Sequence, residues 1–134
     1  MGRVAHDVFS KSYEASADLS ASQYCFVKPS TGVAGGVSAR MALCGANERT
    51  FGVLQTNPNA IGLAGTVRHA GTTKLKVDGS GTAISVGDPL KSNASGIGVK
   101  AGTDKDHVGA IALEASTASG DLIEALIAIY DLAA

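Results

Sequence analysis

Tryptophan is absent, and aromatic residues make up only 4% of the 134 residues. A core without large rings has to be filled by Ala, Val, Ile and Leu, which suits thin, closely packed sheets. Cysteine is nearly absent: Cys25 and Cys44 are the only two. Each lies in an apolar run, where a thiol serves as a small buried hydrophobe; a Cys25–Cys44 cross-strand disulfide is the alternative, disfavoured in a reducing compartment. No apolar run reaches the roughly 18 residues that span a bilayer, and the opening MGRVAHDVFSKSYEAS lacks the apolar stretch of a signal peptide. The expectation is a protein made and kept in a cytoplasm-like compartment, or released from one by lysis.

An excess of charge is also missing. Eleven basic residues face twelve acidic ones, giving a net charge of −1 and a pI near 6.3. Neither bulk nucleic-acid binding nor attraction to an anionic membrane follows from such a balance.

Catalytic motifs are absent too. There is no G-x-S-x-G elbow, and His6, His69 and His107 lie in different segments with nothing to pair them with a cysteine. No C-x-x-C, H-E-x-x-H or EF-hand loop offers metal ligands. The one compact polar group, Asp104-Lys105-Asp106-His107, reads as a solvated hairpin tip in which Lys105 opposes a cation. The Gly-rich stretches at 32–36 and 78–87 spell no phosphate loop, and the carboxylates are scattered singly, without the pairing that glycoside hydrolysis needs. The expectation is a protein that is not an enzyme, with no catalytic residue, metal or cofactor.

What is abundant is glycine, 17 copies, which at this density signals many tight turns between short strands. The chain suits one domain that removes roughly two-thirds of its unfolded surface from water. Residues 1–17 are polar with scattered Val4, Val8, Phe9 and Tyr13, a pattern too weak for an independent helix, and read as an arm. Gln23–Lys28 is dense in strand formers and stops at Pro29, where PSTGVAGGVS has loop composition. Met41–Cys44 and Thr50–Gln55, separated by a polar turn, read as a hairpin. Thr56–Gly62 is loop chemistry. Two strands flank Gly71, and in the second Thr73, Leu75 and Val77 alternate with Lys74, Lys76 and Asp78, the period of a half-buried strand. Strands over Ile97–Lys100 and Val108–Glu114 follow. Leu122–Ile129 favours helix by its Leu, Ala and Glu, but its Ile content and the Gly-Asp turn before it decide for strand. The class is all-β.

At Phe51-Gly52-Val53-Leu54-Gln55-Thr56-Asn57-Pro58 the chain resembles a family of small phage capsid cement, or decoration, proteins. Asp18-Leu19-Ser20-Ala21-x-Gln23-Tyr24-x-Phe26-Val27 is similar to that family's opening. Ile84-x-x-Gly87-Asp88-x-Leu90-x-Ser92-Asn93-x-x-Gly96, Gly109-x-x-Ala112-Leu113-Glu114-Ala115 and Gly120-Asp121-Leu122-Ile123-Glu124 are similar to its later turns and strands. The resemblance runs over about residues 18–127 and rests on the order of several modest motifs; Met1–Ala17 and Ala128–Ala134 fall outside it.

The resemblance implies a compact small barrel or β-clip-like domain of short strands with Gly-rich turns, within residues 18–134; residues 1–17, outside it, are expected as a flexible N-terminal arm. It implies a virion protein, made in the host cytoplasm, that binds the outer surface of a capsid and stabilises it by bridging major capsid protein subunits. Its partners would be that protein and itself as a homo-oligomer, a trimer first and a dimer second, with no nucleic acid and no membrane. The arm, with Val4, Val8, Phe9 and Tyr13 as anchors, is the expected capsid-binding element, and deleting residues 1–17 is expected to leave folding intact. The alternatives are another virion β module, fibre or tail-associated, and a small-ligand or glycan-binding β domain, for which aromatic platforms are scarce.

Overall fold

The alternation along Thr72–Asp78 is the plainest local signal, and it reads true: Thr73, Leu75 and Val77 are buried while Thr72 and Lys74 are exposed. In the computed structural model, which describes residues 8–30 and 39–133, this segment is one of ten strands. They are β1 (Phe9–Glu14), β2 (Phe26–Ser30), β3 (Arg40–Leu43), β4 (Gly52–Leu54), β5 (Ala64–Ala70), β6 (Thr72–Asp78), β7 (Pro89–Ser92), β8 (Gly98–Lys100), β9 (His107–Ala112) and β10 (Ser119–Asp131). The first five form one sheet in the order β1-β5-β4-β2-β3, and the last five close into a barrel in the order β10-β6-β8-β7-β9. The all-β small-barrel reading holds, and Leu122–Ile129 lies wholly within strand β10.

The chain passes from sheet to barrel at Gly71, whose φ of +96° is a conformation open to glycine and strained for other residues. The two strands flanking Gly71 therefore belong to different units. The barrel interior is filled by Leu75, Val77, Leu90, Ala110, Ala112, Ile123 and Ala125, which form one cluster with Phe26, Cys44 and Val53 of the sheet. The sheet's other face gathers Ala15, Leu19, Val27, Met41, Leu54 and Val67. The sheet curls, so that its edge strands meet at one end: Ala15 bridges Met41, the Ser16 N–H donates to the Met41 carbonyl at 2.9 Å, and Arg40 pairs with Glu14 at 3.0 Å.

Sheet and barrel lock through Phe26, which is fully buried. A Cβ built on Gly109 of β9 would lie 2.6 Å from both the Phe26 ring and the Thr50 methyl. Only hydrogen at that position lets the ring seat against the barrel wall. Backbone bonds close the seam, from Phe26 N–H to Gly96 O, Lys76 N–H to Tyr24 O and Asn47 N–H to Ser92 O, each 2.8 Å.

Five expectations are corrected. Met41–Cys44 and Thr50–Gln55 are not a hairpin, because β3 and β4 both pair with β2 and lie on either side of it. Pro29 does not end its strand; it pairs opposite Met41. Pairing with β4 stops at Val27, so the missing N–H falls on a side where β2 has no neighbour to bond. The strand also begins later than expected, since Tyr24 takes a left-handed φ of 66° in the turn ahead of it.

Residues 9–14, expected in an arm, are a strand paired along β5 from Phe9↔Ala70 to Glu14↔Ala64. Ala15 is fully buried. Deleting residues 1–17 would strip an edge strand and part of the core, so the expectation that folding survives this truncation is withdrawn. The loop expected over residues 29–38 falls mostly outside the described residues.

The Asp104–His107 tip is likewise not simply solvated. Asp106 is 3% exposed, and its carboxylate accepts from the Thr103 N–H at 3.0 Å, the Gly102 N–H at 3.1 Å and the Lys91 ammonium at 3.1 Å. Burial alone would raise its pKa, but the Thr103, Lys91 and Gly102 donors outweigh it and hold the group below its ordinary value.

Replacing Gly109 by Ala forces Phe26 from its seat, and a loss of about 1–3 kcal/mol is expected, the range of overpacked cores, measured by chemical denaturation. A depressed folded-state pKa contributes stability above the ordinary carboxylate pKa that is lost as pH falls through the folded value. Asp106→Asn should therefore lower the melting temperature at pH 7 and narrow its difference from wild type towards pH 3. An equal deficit at both pH values would refute this role for Asp106.

Candidate functional site

The bulge between Phe9 and Ser10 in the β1–β5 pairing shifts Phe9 onto the ring of His69. The two rings stack with centroids 5.4 Å apart. Tyr13 lies edge-on to the same imidazole at 5.4 Å, and Phe51 meets Tyr13 and His69 at 5.0 Å each. Four of the chain's few aromatic or imidazole rings are thus gathered at one corner of the sheet, contributed by β1, β5 and the residue preceding β4.

Polar contacts fix the corner. The Phe51 carbonyl can only accept, so Nδ1 of His69 carries the proton that bonds it at 2.6 Å. In the neutral ring Nε2 is then left to accept from the Tyr13 hydroxyl at 2.8 Å. The Lys11 ammonium lies 5.7 Å from the Tyr13 ring centre, within the reach of a cation–π contact. The cluster is rigid beneath and open above: Tyr13 and Phe51 pack on the sheet's inner cluster, whereas Phe9 is 57% and Val8 52% exposed.

Of the four anchors named from the sequence, the structure brings Phe9 and Tyr13 into one cluster, with Val8 next to Phe9 in the chain. Tyr13 is half-buried and acts as support for Phe9. Val4 lies outside the described residues. Phe51 and His69 were missed as partners, and nothing local signals them, since their proximity to β1 comes from strand order.

Elsewhere the described residues offer little surface chemistry. A cleft of about 400 Å³ beside Ser12, Asn57, Pro58, Asn59 and Leu63 has no titratable residue in its lining. Among the described residues no three His, Cys, Asp or Glu side chains converge as metal ligands. Both cysteines are free and buried. Burial pushes the Cys44 thiol up to about 11 and raises Cys25, against a smaller opposing pull from Lys76. Neither is a thiolate at neutral pH.

A family model described as phage cement protein matches residues 10–128. The match begins inside β1, so the family's domain takes in most of the strand that sequence resemblance left outside. No curated protein matches the chain. Among solved structures, the N base of head fiber gp8.5 from bacteriophage phi29 is similar, with a TM-score of 0.68 at 20% identity over 93% of this chain and 98% of that one. At that identity the likeness concerns the fold.

Alkylation of the native protein at pH 7.5 should leave both thiols unmodified within the time in which the denatured chain is modified twice. Mass spectrometry reads the outcome, and rapid native labelling of Cys44 would contradict its burial.

Proposed function

This chain belongs to the phage cement protein family and is a structural protein of the phage virion; from that premise we propose that it binds the outer capsid surface and bridges neighbouring major capsid protein subunits. The observation that carries the reading is the Val8–Phe9 edge, solvent-facing apolar side chains set on a braced ring cluster. Large apolar residues exposed together mark contact surfaces, and a rigid aromatic anchor gives up little conformational entropy on binding.

The mechanism needs no reaction, and the protein works without catalytic residue, cofactor or metal. Each copy lays Phe9, Val8 and the supporting Tyr13 against the shell. Binding only the assembled shell stabilises it by mass action, and copies joined as a homo-oligomer, a trimer first and a dimer second, gain avidity through simultaneous engagement. Synthesis in the host cytoplasm precedes docking, and neither nucleic acid nor membrane takes part.

A second reading, the base of a virion fibre, is favoured by the fold shared with the phi29 head fiber base. Copy number separates the two, since a fibre base would be far scarcer in purified particles than the major capsid protein.

Val8 and Phe9 are exposed, so Val8→Asp with Phe9→Asp should leave the melting temperature within a few degrees of wild type. Loss of a buried apolar anchor is worth about 1.5–3 kcal/mol, which predicts at least tenfold weaker binding to undecorated capsids, scored by co-sedimentation and cryo-electron microscopy. Unchanged occupancy on the shell would sink the proposal.

A further inference from the structure

The longest strand, β10, pairs with β6 on one side and β9 on the other, and its two faces differ sharply. Ile123 and Ala125 point into the barrel and are buried. Leu122, 49% exposed, precedes this pair and Leu126, 41% exposed, follows it, with Glu124 between them on the outward face. Leu126 stands directly opposite Ile111 of β9. Leu113 follows two residues on, on the same face; it is exposed, and its N–H donates to the Glu124 carbonyl at 2.9 Å. The result is an apolar stripe on the outer barrel wall, on a strand paired on both sides and therefore closed to addition of another strand.

Charge borders this stripe with opposite signs. On the β6 side Lys74 stands opposite Glu124 and Lys76 opposite Leu122; on the β9 side Glu114 lies against β10, its carboxylate accepting the Glu124 N–H at 2.7 Å. Lys74, Lys76, Glu114 and Glu124 take part in none of the side-chain ion pairs found among the described residues. Beside Leu122, the turn containing Ser20, Ala21 and Tyr24 leaves a groove of about 240 Å³, a receptacle at one end of the stripe.

We infer that this β10 face is the surface through which copies of the chain associate, Leu122 and Leu126 packing against a second copy while Lys74 and Lys76 of one meet Glu114 and Glu124 of the other. The occupant follows from the surface itself. It carries both signs of charge next to one apolar stripe, so it is complementary to another copy of itself, whereas a foreign partner would need no such pairing. The inference rests on the reading that the protein acts as an oligomer, and it assigns capsid and self-contact to different units, sheet and barrel.

Analytical ultracentrifugation of the full chain tests it. Wild type should sediment as a multiple of 13.4 kDa, and Leu122→Arg with Leu126→Arg should sediment as the monomer with an unchanged melting temperature. Lys74→Glu with Lys76→Glu should weaken association at least tenfold, and adding Glu114→Lys with Glu124→Lys should restore it, since only a partner carrying the same substitutions regains the pairing. A wild type that stays monomeric at about 100 μM, where an association of micromolar strength would be nearly complete, would overturn the inference, as would a leucine variant that keeps the oligomeric mass. Capsid co-sedimentation is read separately: an oligomer that fails to bind any shell would refute the capsid reading and leave this one standing.

Discussion

Phe26 seated on Gly109 is the contact on which the arrangement of the whole molecule depends. Each unit alone has a face it cannot leave in water: the sheet presents Phe26, Cys44 and Val53, and the barrel presents the wall at Gly109. A side chain at residue 109 would hold the two apart by the width of a methyl group. The backbone bonds along the seam, from Phe26, Lys76 and Asn47, would stretch together. With the seat occupied, the scarcity of aromatic residues stops being a weakness, because one ring fills the largest gap and small aliphatics fill the rest. Tight packing of this kind resists added volume more than it resists conservative exchange.

The same joint lets the two units do separate work. The sheet turns its Phe9–Tyr13–Phe51–His69 corner outward, and the barrel turns Leu122 and Leu126 outward on another strand. Both surfaces are built on regular strands, so the exposed side chains are held by paired backbone. A structural protein needs this stiffness more than a cleft, and the described surface is correspondingly poor in convergent titratable groups. The buried thiols fit the same picture: burial denies them the thiolate form, and they serve as filling.

Local signals carried much of the fold. The period-two pattern of Thr73, Leu75 and Val77 was readable because each residue answers to its own face of one strand. The strand choice at Leu122–Ile129 was readable from its Ile content and the Gly-Asp turn before it; the alternation of buried and exposed side chains over Leu122–Leu126 is hidden in sequence because the outward positions include leucines. Strand order was not. Met41–Cys44 and Thr50–Gln55 look like a hairpin because they are neighbours in sequence, yet β2, already made, lies between them. Pro29 misled for a similar reason, since whether a missing N–H matters depends on how far β4 extends. The strand at residues 9–14 was hidden by its composition: an edge strand with one wet face and polar Ser10, Lys11 and Ser12 has no apolar alternation to betray it. Phe9 and Tyr13 stood out in the sequence as apolar positions in a polar segment, but the imidazole that gathers them comes from 56 residues beyond Tyr13.

The single passage at Gly71 divides the chain into a sheet made entirely from residues before it and a barrel made entirely from residues after it. During synthesis the whole sheet therefore emerges while its Phe26 face has nothing to lie on, and the seat does not exist until the ribosome has passed Gly109. Of the ten described strands, β10 leaves after the other nine, and it closes the barrel by joining β6 to β9. The early half must wait with an apolar face in water, and a nascent chain stalled between Gly71 and Gly109 leaves Phe26, Cys44 and Val53 without their barrel partners, the kind of surface that aggregates.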